Sequence, residues 1–235
     1  MAQTEQKNQN VKKQFEELQS LLERAMALQT SMVLFEWDDE TLAPKGAAEH
    51  TARVIGSLSE QYQEILASMR FKELLDVCQK AEKENAGVFD EVQSAILREA
   101  AEEQERLSCI PPEEYRAYAE LTARATGIWT RAREKNDFAS FAPVLKEIIS
   151  YQKKFAAYRA KPGQKLYDVM LDTYEKGFNM EMLDPFFELM KGKIVPLLKE
   201  SADRSKTVPD AFLSADYPEA AQAEAARFLA EYDGF

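Results

Sequence analysis

The amino-acid sequence predicts an all-α protein, and three observations support this fold class. Glycine and proline are sparse, with 8 and 9 among 235 residues, whereas alanine, leucine, glutamate, lysine and glutamine recur throughout, and these are good helix formers. Apolar residues recur every three or four positions along most of the chain, which is the period of a helix face. Turn-forming residues separate the periodic segments. We therefore expect an antiparallel bundle of roughly eight to nine helices.

The first half of the chain predicts five helices. The first is expected from about residue 8 to 35, and residues 41–46 (TLAPKG) separate it from the second. Residues 85–87 (NAG) separate the third helix from the fourth, and residues 110–112 (IPP) introduce the fifth. Three faces are predicted to be buried: Phe15, Leu18, Leu22, Ala25 and Met32; Ala48, Ala52, Ile55, Leu58, Tyr62, Ile65 and Met69; and Tyr115, Tyr118, Thr122, Ala125, Trp129 and Ala132.

The second half continues the helical pattern. Ser140 is expected to cap the sixth helix with Pro143 in its first turn, and residues 161–163 (KPG) end it. A short segment at 166–175 precedes a longer helix that we expect to bend near Pro196. We interpret residues 1–206 as the helical bundle, and 207–235 as a linker (207–218) and a final helix (218–232) that leads into a further region.

Composition argues against several classes of partner. The chain has 30 Lys and Arg and 41 Asp and Glu, which gives a net charge of -11, and its basic residues do not form a continuous stripe. Nucleic acid and anionic membranes are therefore not expected partners. The first residues, MAQTEQKNQNVKKQ, contain no apolar signal segment, which predicts a cytoplasmic protein. Cys78 and Cys109 lack metal-binding spacing and are expected to be reduced, partly buried thiols.

Catalytic and metal-binding residues are not predicted in this chain. The acidic residues near the sole histidine, His50, in the sequence are all glutamates, and zinc sites usually need more nitrogen or sulfur ligands. We expect His50 to be a solvated histidine on a helix and not a metal ligand. Two acidic groups invite a site interpretation: Asp38, Asp39 and Glu40 after Trp37, and Asp168, Asp172 and Glu175 at helical spacing. On a buried face such carboxylates raise one another's pKa, but on a solvated face they form a charged stripe. No context for a nucleophilic serine or cysteine is present.

Aromatic residues are concentrated in the second half, and two interpretations stay open. At helical spacing they usually belong to a core. The alternative is the wall of a peptide groove, in which tyrosine hydroxyls and Arg131 or Arg133 meet backbone or carboxylate groups. The residues are Trp37, Trp129, Phe138, Phe141, Tyr151, Phe155, Tyr158, Tyr167 and Tyr174.

Three segments, in the same order, resemble the N-terminal half of the Taq-type thermostable zinc carboxypeptidases. The first is LFEWDDETLAP at 34–44, followed by Arg53. The second contains Trp129, Ala132 and Arg133, then Asn136, Asp137, Phe138, Phe141, Pro143 and Leu145. The third is LYDVMLDTYEKG at 166–177, with Lys176 where the family commonly has proline. The match to the family runs in order along most of the chain, and the three segments together are more specific than any one of them.

The resemblance implies a helical, often homodimeric, cytoplasmic enzyme that removes C-terminal residues from peptides with a zinc-activated water. Its H-E-x-x-H motif needs two histidines, and this chain has one. We therefore expect no catalytic or metal residue here, zinc only with a C-terminal half beyond Phe235, and a truncated, split or shortened chain that is inactive alone. The resemblance makes the following residues candidates for the substrate groove: Trp37, Asp38, Arg53, Trp129, Arg133, Asp137, Tyr167, Asp168, Asp172, Tyr174 and Glu175.

Partners and rival functions follow from this interpretation. A peptide substrate is expected only together with the catalytic half, and the surface that would meet that half is expected to be apolar. A second copy or a separately encoded C-terminal half is the candidate to cover it. A helical binding or scaffold module that lost the chemistry is the alternative function, and an unrelated bundle with coincidental motifs is the third interpretation.

Overall fold

The computed structural model describes residues 2–44, 46–85, 87–205 and 209–235, and this part of the chain is helical without any strand. The all-α prediction and the expected number of helices are confirmed. A short 3-10 helix, Ala211–Ser214, lies between the last two α-helices. The α-helices are α1 (Ala2–Thr41), α2 (Ala48–Ala67), α3 (Met69–Glu84), α4 (Glu91–Ser108), α5 (Pro112–Glu134), α6 (Phe138–Arg159), α7 (Leu166–Tyr174), α8 (Met180–Ser205) and α9 (Glu219–Tyr232).

The boundaries of the first three helices differ from the sequence prediction. α1 is longer at both ends, because no glycine or proline interrupts it and its last turn continues to Thr41, whose hydroxyl donates to the carbonyl of Trp37 at 2.6 Å. Met69, assigned to the second helix, instead begins α3 and is exposed. The break occurs at Ser68, which has extended backbone angles and whose side chain accepts a hydrogen bond from the amide of Phe71 at 3.1 Å.

The cap of α6 was also misassigned. Asp137, and not Ser140, is the N-cap: its carboxylate accepts from the amide of Ser140 at 3.2 Å and from the Ser140 hydroxyl. Asp is among the strongest capping residues because its carboxylate accepts from the free amides of the first turn. The helix therefore starts earlier than expected, at Phe138, and Pro143 lies in its second turn.

The core of the first four helices confirms the predicted face of α1. Phe15, Leu18 and Ala25 are buried, and the ring of Phe15 lies 5.1 Å from that of Phe89, centroid to centroid. The cluster continues through the apolar faces of α3 and α4, where Cys78 is fully buried. Burial raises the pKa of the Cys78 thiol to about 11, so the thiol is uncharged at neutral pH. Among the described residues, the other large side chains that are fully buried are Leu18, Leu66, Phe71, Leu74, Leu97 and Leu107, with Gln63.

Helix α2 lies at the centre of the bundle, because it packs against α1, α3, α4 and α5. Its buried face is rotated from the predicted one and includes Gly56, Ser59 and Gln63. The fully buried amide nitrogen of Gln63 donates to the carbonyls of Leu107 at 3.1 Å and Ile110 at 2.6 Å. These carbonyls lie at the end of α4, where helix carbonyls lack partners inside the helix. Gln63 therefore fastens the end of α4 to the central helix.

The chain divides into two compact units, Met1–Lys176 and Gly177–Phe235. The boundary predicted between residues 206 and 207 stays a prediction, and the predicted linker begins in a stretch, 206–208, that lies outside the described residues. Within the second unit, α8 contains Pro185 and Pro196. Many of its large apolar side chains are exposed, among them Phe186, Phe187, Leu189, Ile194, Leu197 and Leu198.

In the described parts of the chain, no helix combines the length and the apolar character that crossing a bilayer requires.

Substitution of Gly56 tests the contact between α2 and α5. A Cβ at this position would lie 2.3 Å from Cγ of Glu120, so Gly56→Ala is expected to destabilise the fold by roughly 1–3 kcal/mol through overpacking. Urea unfolding of the whole chain measures the change. Gly127→Ala in α5 is the matched control, because its Cβ meets only the Arg131 side chain at 3.5 Å, and its better helix propensity should leave stability equal or higher. Equal stability of Gly56→Ala and the wild type would contradict this packing.

Candidate functional site

A cavity of about 290 Å³ lies between the end of α1, the start of α2 and the middle of α5. Glu36, Asp39 and Glu40 bring three carboxylates to its wall. The buried Thr51 and the half-buried Thr122 contribute from the opposite helices. This wall suits a cationic or hydrogen-bond-donating group. Asp39 and Glu40 belong to the acidic group that follows Trp37 in the sequence. They lie three and four residues after Glu36 on α1, and residues at this spacing share a helix face.

The other candidates of the first motif lie on the surface near this cavity and not in its wall. Trp37 is 56% exposed in the last turns of α1, and Asp38 is exposed beside it. The backbone carbonyl of Asp38 accepts from the amides of Leu42 and Ala43 at 2.9 and 2.8 Å, which ends the helix. Arg53 is exposed on α2.

Trp129 and Arg133 form a pair on the outer face of α5. The guanidinium carbon of Arg133 lies 5.2 Å from the centre of the Trp129 ring, a cation–π contact, and Trp129 is 44% exposed. The predicted buried face of α5 is therefore correct at Ala125 and Ala132 but wrong at Trp129. A flat aromatic surface with a neighbouring cation remains available to a partner.

The third motif is on α7 and the loop that follows it. Tyr167 is 60% exposed and Tyr174 is 81% exposed, whereas Asp168 is half-buried and Asp172 is exposed. Asp168 and Asp172 share a face, but Glu175 does not continue it, because α7 ends at Tyr174 and Glu175 has extended backbone angles. Lys176, in the loop after α7, contacts Glu99 at 3.1 Å and also Glu102.

The core interpretation of the aromatic set holds for a minority of its members. Phe155 is buried between α5 and α6, with its ring 5.3 Å from Tyr118 and 5.7 Å from Tyr151. Trp37, Trp129, Phe138, Tyr158, Tyr167 and Tyr174 are exposed. Each of the three motifs thus exposes at least one large aromatic side chain. The role of these residues as a groove stays a prediction.

The described residues do not fit a zinc ion. Nowhere among them do three or more His, Cys, Asp or Glu side chains approach one another as metal ligands. His50 is exposed in the first turn of α2. A catalytic zinc site takes three such protein ligands around one point, and the described residues do not supply this set.

Sequence reasoning missed three residues that shape these surfaces. Gly56 and Gln63 set the position of α2, and Arg159 lines a second cavity near α7. A glycine inside a strongly periodic helix indicates a close approach. No sequence signal distinguishes Gln63 or Arg159 from the many solvated polar residues of the chain.

The fold is that of the metallocarboxypeptidases. The crystal structure of BsuCP superposes on 93% of the chain with a TM-score of 0.87 at 30% identity, and Trypanosoma cruzi metallocarboxypeptidase 1 on 95% with a TM-score of 0.74 at 25% identity. The chain belongs to the carboxypeptidase Taq (M32) metallopeptidase family, whose sequence pattern matches residues 17–235. The resemblance of the three motifs is thereby confirmed.

Sequence relatives agree with the structural ones and show how much of the enzyme is present. Carboxypeptidase 1 of Bacillus subtilis is 31% identical over 215 residues, which are 92% of this chain but 42% of the relative. Thermostable carboxypeptidase 1 of Pyrococcus furiosus is 30% identical over 78% of the chain and 36% of the relative. The chain thus spans less than half the length of the relatives that it matches.

Asp137 provides a test of a motif residue whose contacts are known. Its hydrogen bonds with the Ser140 hydroxyl and the Ser140 amide hold the pKa of its carboxyl below the usual range. Asp137→Ala should loosen the first turn of α6, which faster amide hydrogen exchange at residues 139–141 would reveal. Asp137→Asn should keep most of the protection because Asn also caps well.

The lowered pKa of Asp137 also determines how the stabilisation by this cap changes with pH. Because the folded-state pKa is depressed, the contribution of Asp137 to stability is complete above its unfolded-state pKa and is lost as the pH falls through the folded-state value. Protection that is independent of pH in this acidic range, or unchanged in Asp137→Ala, would contradict the assignment of Asp137 as the cap.

Proposed function

We propose that this chain is the N-terminal region of a metallocarboxypeptidase, where it forms a wall of the peptide groove and the interface with the catalytic region. In this proposal the whole enzyme removes C-terminal residues from peptides with zinc-activated water. The observation that carries it is the exposure of motif aromatics on three helices of a chain that belongs to this family. A cytoplasmic location and a truncated or split origin are parts of the same proposal.

The metal belongs to the other region in this proposal. The described residues do not fit zinc, whereas the family is one of metallopeptidases. The residues of this chain would bind and orient: carboxylates beside α1 would receive cationic groups of a peptide, and Trp129 with Arg133 would contact its backbone or carboxylate groups. The 235-residue chain is then inactive by itself.

The apolar residues of α8 support the interface part of the proposal. Phe186, Phe187, Leu197 and Leu198 are each at least half exposed, and exposed apolar side chains are the material of protein interfaces when they are grouped on one surface. The catalytic region is the occupant we propose for this surface. A homodimer contact on the same helix is the other candidate partner.

The alternative function is a helical binding or scaffold module without chemistry. The continuous core of α1 to α4, closed by Gln63 and by the Phe15–Phe89 contact, favours it. A module of this kind would be stable alone and would not bind the catalytic region of a relative.

Complementation distinguishes the two functions. The chain, supplied with zinc, is expected to release no C-terminal residue from an N-blocked dipeptide. Co-expression with the part of Bacillus subtilis Carboxypeptidase 1 that the chain does not match should restore hydrolysis. Enzymatic turnover by the chain alone would contradict the proposal, and failure of the two parts to associate would favour the scaffold function.

A matched pair of variants tests the groove wall in the restored enzyme. Trp129→Ala should lower kcat/KM by about tenfold, the effect of losing roughly 1.4 kcal/mol of contact with the substrate. Val92→Ala is the control, since Val92 is equally apolar, exposed on α4 and outside the motifs. Equal activity of the two variants would remove Trp129 from the groove.

A further inference from the structure

The cavity between the end of α1, the start of α2 and the middle of α5 carries charge of one sign only. Its charged side chains are Glu36, Asp39 and Glu40, and no lysine or arginine of the described residues lines it. In the same part of the chain, none of the three carboxylates has an ion pair or a hydrogen bond. Arg124, on α5, lies outside the lining and contacts Glu49 at 4.0 Å. The cavity wall therefore complements a cation.

Thr51, on α2, provides a second and independent observation. Its side chain lines the cavity and the residue is only 9% exposed, and among the described residues its hydroxyl has no hydrogen-bond partner. The hydroxyl is not sealed off from solvent, unlike the unpaired Oε1 of Gln63 in the interior, and the cavity is the open space that Thr51 lines. Its oxygen is therefore available to a donor inside the cavity.

The three carboxylates are spread along α1 and do not converge on one point. Residues three and four positions apart on a helix have Cβ atoms about 5–6 Å from each other. Within the described ranges, no three His, Cys, Asp or Glu side chains approach one another as metal ligands. A compact metal ion would meet too few of these carboxylates at once, whereas an elongated cation with two charges can reach carboxylates on successive turns.

Apolar side chains complete the lining of the cavity. Ala48, Ala52 and Ile55 contribute from α2, and Ala123 contributes from α5. Contact with such groups removes a hydrocarbon chain from water, which is favourable. The volume of about 290 Å³ is at the small end of the range for ligand sites. These properties suit a short, unbranched alkyl chain that carries positive charge.

We propose that this cavity binds an alkyl diammonium ion, which is a pair of ammonium groups joined by a short hydrocarbon chain. The carboxylates of Glu36, Asp39 and Glu40 accept hydrogen bonds from the ammonium groups, and charge-assisted bonds of this kind are strong. The Thr51 hydroxyl oxygen accepts from one of the same groups, and the chain packs on Ile55.

Two sources share this chemistry. One is a free polyamine, and the other is a peptide whose N-terminal lysine carries an α-ammonium and an ε-ammonium group. The peptide source rests on the proposed function, whereas the polyamine source does not. Binding itself requires neither zinc nor another region of the enzyme, so failure of this test would leave the peptidase proposal standing.

Isothermal titration calorimetry of the whole chain at low ionic strength tests the site, with 1,4-diaminobutane as the probe. Butylamine at equal ammonium concentration and magnesium chloride are the comparison ligands. We expect 1,4-diaminobutane to bind at least about tenfold more tightly than butylamine, because its second ammonium group is tethered close to a second carboxylate. Equal affinity of the two amines, tighter binding of magnesium, or no binding of 1,4-diaminobutane would each overturn the proposal.

A matched pair of variants separates the cavity from the general attraction of an acidic chain. Glu40→Gln should weaken the binding of 1,4-diaminobutane by about fivefold, the effect of losing one partly exposed ion pair. Glu64→Gln makes the same change of charge at an exposed position of α2 outside the lining, and it should keep the affinity. Equal weakening by the two variants would overturn the proposal.

Thr51→Val tests the hydroxyl without disturbing the fold. Valine has nearly the same shape, and the hydroxyl has no partner among the described residues, so urea unfolding should show equal or higher stability. The affinity for 1,4-diaminobutane should fall about fivefold through loss of one hydrogen bond. Unchanged affinity of the folded variant would overturn the site, because the buried hydroxyl is what distinguishes it from an acidic stripe.

Lysinamide, titrated in the same way, distinguishes the two sources. Tighter binding of lysinamide than of 1,4-diaminobutane would assign the site to peptides with an N-terminal lysine. Tighter binding of 1,4-diaminobutane would assign it to a free polyamine. Both results support the diammonium class, provided that Glu40→Gln weakens the tighter ligand and Glu64→Gln does not.

Discussion

The close approach of α2 and α5 at Gly56 is the constraint on which the rest of the first unit depends. Without a side chain at this position, the backbone of α2 comes within contact distance of Glu120 on α5. Arg116 then joins the two helices, since it donates to Glu120 and to Glu60 at 3.0 Å each. With α2 fixed in this way, its other faces pack against α1, α3 and α4, and Gln63 fastens the end of α4.

Both cavities follow from that arrangement. The cavity with three carboxylates forms where the ends of α1 and α2 meet α5. The cavity with Arg159 forms where the fastened end of α4 meets the end of α6 and α7. The last turns of α5 expose Trp129 and Arg133. The buried core therefore leaves aromatic and charged side chains exposed on the surface, where the wall of a groove would need them.

The class of fold, the number of helices and the face of α1 could be predicted because each depends on local composition and period. Phe15, Leu18 and Ala25 repeat at helical spacing and are buried. Ser68 ends one helix and caps the next, and Asp137 caps α6. Propensity alone does not distinguish these two residues from nearby serines that could cap a helix equally well. Trp129 has the spacing of a core residue, and only the packing of α5 against α2 and α6 leaves it exposed. Gln63 donates to a carbonyl 44 positions away along the chain, and the buried Nε of Arg159 has no hydrogen-bond partner. Neither property is visible in the local sequence.

In the proposed function, this chain supplies binding surfaces and another region of the enzyme holds the metal. The most direct test is the zinc content of the purified chain, measured by elemental mass spectrometry after incubation with zinc and extensive dialysis. We expect a zinc content far below stoichiometric, because the described residues bring no adequate ligand set together. A stoichiometric zinc ion that survives dialysis, and is lost when His50 is replaced by alanine, would contradict it.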